Sequence, residues 1–85
     1  MSNEERELLA KQIEQDLLLL FGTPMLNLSQ LQRALNYRSI AAVKQSLLRG
    51  TLPVSVFELP NRRGKFVLAK DVSTFMAEQA LNKKE

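Results

Sequence analysis

Eighty-five residues, 45% apolar and 25% charged, describe one small globular domain rather than a disordered chain. The absence of cysteine and histidine excludes disulfides and thiolate chemistry and would leave any metal site to carboxylates alone. The net charge of +3 is unevenly spread: Glu4, Glu5, Glu7, Glu14 and Asp16 outweigh Arg6 and Lys11 in residues 1–22, whereas Arg33, Arg38, Lys44, Arg49, Arg62, Arg63, Lys65 and Lys70 meet only Glu58 between residues 28 and 70.

The first stretch reads as a helix. Ser2 with Glu5 three residues later is a capping-box pattern, acidic residues follow where the helix dipole favours them, and Gly22 with Pro24 is a stop signal. Leu9, Ile13, Leu17 and Leu20 recur at three and four residues as one apolar stripe, which Leu18, Leu19 and Phe21 widen. A helix apolar on so many sides needs two neighbours. Leu9, Ile13, Leu17, Leu18, Leu19 and Phe21 are therefore the expected contacts of a homodimer, the alternative being a helix that folds back to complete its own core. The apolar cluster at 17–21 follows an acidic stretch and is far shorter than the ~20 residues of a membrane span, so a soluble, cytoplasmic chain with no membrane partner is expected.

The second stretch starts at Asn27, an N-cap with Gln30 at the third helical position, and carries Leu28, Leu31 and Leu35 on one side. "NYRS" interrupts it: Asn36 tolerates a left-handed conformation and Ser39 offers a fresh cap. Tyr37 in this turn either caps the core or sets its hydroxyl on a phosphate. The third stretch, "IAAVKQSLLR", ends at Gly50 with Pro53 beyond. Two short helices so joined are a helix-turn-helix pattern. Val43 and Leu47 are expected to face the first of the pair, leaving Lys44, Gln45 and Arg49 outward, with Ala41 and Ala42 small enough for close approach to a groove.

Residues 54–59 and 65–69 are rich in Val, Phe and Leu and are separated by the turn chemistry of "PNRRG", which predicts a hairpin with Arg62, Arg63 and Lys65 at its tip. Its alternation is imperfect, since Val54 and Val56 share a face with Glu58 while Phe57 and Leu59 lie opposite, so a bulge or burial on both sides is expected. "KDVSTFMAEQAL" then returns to helical spacing, with Val72, Phe75, Met76 and Ala80 read as core and Asp71 in the first turn.

Helix-turn-helix followed by a basic-tipped hairpin is the order of a winged helix: an α+β fold, here with an additional N-terminal helix (1–22), a DNA-binding unit at 23–82 closed by a C-terminal helix, and a tail at 83–85. The third helix (39–49) would enter the major groove of double-stranded DNA while the wing (60–65) lies along the phosphate backbone.

The run "LNLSQLQRALNYRSIAAVKQSLLRGTLPV...RRGKFVLAKDVSTFM" resembles the excisionase and AlpA-like branch of the MerR-type winged helices, small regulators of mobile elements. The resemblance covers residues 25 to about 77, and its most specific part is "RGTLPV" spaced from the basic wing and from "KDV". It implies transcription regulation or a recombination role, with Ala41, Ala42, Lys44 and Gln45 on the base-reading face and Arg62, Arg63 and Lys65 on the wing; Arg38, Ser39 and Arg49 complete the candidate DNA-binding residues. The helix at 2–21 has no counterpart in minimal excisionases.

No enzyme, cofactor or metal is expected, because without His or Cys a base or nucleophile must come from carboxylates or hydroxyls, and none clusters in a paired or glycine-rich arrangement. The rival expectations are a protein-interaction module that uses the same body to bind an acidic partner, and RNA binding.

Overall fold

The structure, a computed structural model, describes residues 3–82, so the cap expected at Ser2 and the tail from residue 83 lie outside the described residues. These residues form an α+β fold in the order α1 (Asn3–Phe21), β1 (Met25–Asn27), α2 (Leu28–Ala34), α3 (Ile40–Arg49), β2 (Phe66–Leu68) and α4 (Ala69–Leu81). The two strands pair antiparallel, Met25 with Leu68, Leu26 with Val67 and Asn27 with Phe66.

Local chemistry sets the boundaries. Asn27 and Gln30 form a full capping box, with the Gln30 amide donating to Asn27 Oδ1 at 2.8 Å and the Asn27 amide donating to Gln30 Oε1 at 2.9 Å. Asn36 takes φ 60, the left-handed value that breaks the chain between α2 and α3.

The strands run directly into α2 and α4, so the β1–β2 ladder fixes where both helices begin. Leu26 and Val67 face each other across it, and both are fully buried. Leu17, Leu31, Val43, Ala69 and Val72 complete the core. Burying each Val or Leu side chain stabilises by about 1.5–3 kcal/mol. Ser73, buried among them, donates its hydroxyl to the Ala69 carbonyl at 2.7 Å, which removes the cost of an unpaired polar group.

Helix α1 lies antiparallel along α4. Arg6 near its start reaches Glu78 near the end of α4 at 3.5 Å, and the Ala69 amide donates to the Pro24 carbonyl at 2.8 Å at the other end. Leu17 is in the core, Ile13 and Phe21 pack against it, and the Arg33 guanidinium of α2 lies 5.6 Å from the centre of the Phe21 ring. Three of the six expected dimer contacts are therefore spent within the chain, and Leu9 and Leu18 are half-buried. Leu20, expected in the buried stripe, is 63% exposed and Leu19 is 86% exposed. At about 100° per residue Leu19 points some 200° around the helix from Leu17, away from α4.

Two further expectations are corrected. Residues 54–59 do not form a regular strand. A single bridge joins Phe57 to Phe66, each amide donating to the other's carbonyl at 2.9 Å, and Phe66–Leu68 takes β1 as its strand partner. Asn61 (φ 61) and Gly64 (φ 104) both adopt left-handed backbone, and the segment between them forms the loop at the tip. Burial on both sides holds, with Val54 and Val56 packed on the core while Phe57 and Leu59 are half-buried. In α4 it is Ala77, not Ala80, that is buried, because Ala69, Val72, Ser73 and Ala77 make the inward face. No helix among the described residues is long and apolar enough to cross a membrane.

Candidate nucleic-acid interface

Helix α3 is held at both ends by its own sequence. The Ser39 hydroxyl accepts from the Ala42 amide at 3.1 Å. At the other end Gly50 takes φ 72, and the pair Gly50 amide to Leu47 carbonyl (3.1 Å) and Thr51 amide to Ser46 carbonyl (2.9 Å) is a Schellman closure. A rigid helix of defined length results.

One side of α3 is anchored by Val43, fully buried near Leu31 in the core cluster. The opposite side is exposed at Ala41, Lys44, Gln45 and Leu48, spaced three, four and seven residues along a single face, with exposed Arg49 beside it. Four of the residues expected to read DNA, Ala41, Lys44, Gln45 and Arg49, are thus presented together. Ala42 is half-buried and belongs to the flank of the helix, and Ser39 is engaged as the cap. Arg38 is exposed in the turn before it. Tyr37 packs against the core, and its carbonyl accepts from Gln32 Nε2 at 2.7 Å, so the core-capping alternative describes it.

The sequence did not single out Leu48. With Val43 and Leu47 on the covered side, Leu48 is left 87% exposed.

The loop at the hairpin tip carries Arg62 and Arg63, both exposed. Lys65 differs from its two neighbours, because its ammonium is ion-paired and hydrogen-bonded to Glu58. That hydrogen bond first, and the Lys65 charge second, hold the Glu58 carboxyl below its ordinary pKa against a small opposing effect of desolvation. Two freely presented cations therefore stand at the tip instead of three. The pair has a second effect: the one carboxylate between residues 28 and 70 is neutralised locally.

Helix and hairpin adjoin. Leu47 and Leu48 at the end of α3 line an open groove with Val56, Phe57, Glu58 and Lys65 at the hairpin base. The Phe57 and Phe66 rings, tilted by 39° with centres 6.2 Å apart, pack that base. A cap-stabilised helix face with amide, cationic and apolar groups thus stands beside a loop bearing two arginines, an arrangement suited to base edges on one side and phosphates on the other.

No family model matches the chain, and searches of curated proteins and of solved structures also find no match.

Proposed function

We propose that the chain is a non-enzymatic, sequence-specific double-stranded-DNA-binding protein of winged-helix type, with α3 in the major groove and Arg62 and Arg63 on the phosphate backbone. The observation that carries this reading is the joint exposure of Ala41, Lys44 and Gln45 on one α3 face that holds no carboxylate. Lys44 matches guanine O6 and N7, and Gln45 matches adenine N6 and N7. The resemblance to excisionase-like and AlpA-like regulators favours a role in transcription regulation or in recombination of a mobile element.

We extend the proposal to a homodimer joined through the outward face of α1, where Leu19 and Leu20 remain exposed. A twofold arrangement would set two copies of α3 on one side of the duplex, about 34 Å or a multiple apart, and calls for a palindromic site.

Electrophoretic shifts with duplex DNA and a matched duplex RNA at two salt concentrations test the reading. Retarded DNA, weaker at higher salt and outcompeting RNA, is expected. Absence of any shift at low salt overturns it, and an equal shift with RNA replaces it by RNA binding.

A further inference from the structure

The most exposed large apolar side chain of α3 has no role in the fold. Leu48 is 87% accessible, yet it shares the outward face with Ala41, Lys44 and Gln45, and charged Lys44 and Arg49 stand near it. Resting on the DNA-binding reading above, we propose that Leu48 determines specificity by packing against the 5-methyl group of a thymine in the major groove.

Three features carry this. The first is position: at about 1.5 Å per residue, Ala41 and Leu48 lie about 10 Å apart along the helix, which corresponds to about three base-pair steps of about 3.4 Å. A contact at Leu48 therefore falls in the same short site as one at Gln45, a single turn earlier. The second is chemistry. The thymine methyl is the one apolar feature that bases present in the major groove, and aliphatic side chains meet it there, whereas Gln45 one turn away suits adenine. Together they favour A·T pairs at adjacent positions. The third is charge. The surroundings of Leu48 include Lys44 and Arg49, while Glu58 and Lys65 neutralise each other, which leaves a net positive setting that matches a polyanion better than an apolar protein surface.

The test removes the methyl group and nothing else. The best duplex is selected with the unaltered full chain, and each thymine in turn is replaced by uracil. One position per bound α3 is expected to lose affinity about fourfold, the equivalent of about 0.8 kcal/mol for one methyl-sized group. Leu48→Ala should bind the thymine duplex about as weakly as the parent binds the uracil duplex, and should no longer distinguish the two. Leu48→Met should still distinguish them. Because Leu48 is exposed, unchanged thermal melting of Leu48→Ala is the folding control. A parent that binds duplex DNA but tolerates uracil at every position overturns the inference alone, as does a uracil penalty that persists in Leu48→Ala. A parent that binds no duplex overturns the DNA reading and this inference with it.

Discussion

Glu58 and Lys65 form an ion pair one step beyond the Phe57–Phe66 bridge, directly opposite each other in its antiparallel register. The bridge fixes the backbone at one point and the ion pair ties the side chains at the next, so the arginine loop springs from a base closed twice. The same contact withdraws Lys65 from the set of groups that can meet a phosphate.

Glu58→Gln should release Lys65. Its expected signature is tighter non-specific DNA binding and a log-affinity against log-salt slope steeper by about 0.9, the value of one added phosphate contact. Acid titration gives a second measure. A carboxyl whose pKa is depressed by folding stabilises the folded state above its unfolded pKa, and that contribution is lost as the pH falls through the lower folded value. The melting difference between the parent and Glu58→Gln should therefore be constant near neutrality and disappear in acid once Glu58 is protonated in both states. A difference that grows on acidification would count against the pair.

Replacing Arg62 and Arg63 together by Ala should weaken binding to specific and unrelated duplexes alike, because phosphate contacts position a protein without specifying sequence. The salt slope should flatten by about 0.9 for each arginine. An unchanged affinity and slope would remove the loop from the interface.

Gln45→Ala should relax the preference for adenine at one base position per bound α3, with a loss of about 1–3 kcal/mol of discrimination and little change in non-specific affinity. Selection from a randomised library, run in parallel on both proteins, measures this. Identical motifs from the two would show that Gln45 reads no base.

Leu17 and Leu19 should behave oppositely although two residues apart. Leu17→Ala opens a cavity in the core and should cost about 2–5 kcal/mol of stability. Leu19→Lys changes a side chain that is 86% exposed and should leave unfolding of the monomer nearly unaltered while abolishing the dimer in sedimentation. If the parent already sediments as a monomer at tens of micromolar, on the scale where a 1 μM constant corresponds to about −8.2 kcal/mol, the proposed dimer does not form.

The features legible in the sequence are those decided by neighbouring residues. The Asn27–Gln30 capping box, the Ser39 cap, the left-handed Asn36 and the glycine closure at Gly50 each depend on chemistry within about six residues, and each is found. The features missed depend on distant partners. Met25–Asn27 is three residues without alternation and becomes a strand only because Phe66–Leu68 pairs with it. The local pattern pairs 65–69 with 54–59 alone, since nothing local announces a second partner for Phe66. The width of the apolar stripe on α1 was legible, but which side α4 covers was not, so Leu17 and Leu19 looked alike. Of the candidate site, the outward position of Lys44, Gln45 and Arg49 followed from helical spacing, whereas the pairing of Lys65 with Glu58 depended on a register that only the fold supplies.

Phe66 occupies the middle position between two chain segments, opposite Asn27 on one side and bridged to Phe57 on the other, and this arrangement sets two closures of unequal cost. The Phe57 bridge closes a separation of nine residues and the Asn27 pairing one of thirty-nine, taken as the differences between the paired residue numbers. Loop-closure entropy rises as about (3/2)RT ln n, which makes the longer closure costlier by about 1.3 kcal/mol. By chain entropy alone the hairpin base is the cheaper of the two closures. The α2–α3 contact, between helices only five residues apart, is a short closure as well, so the β1–β2 ladder is the contact that ties the N-terminal half of the chain to the segment already gathered at Phe66.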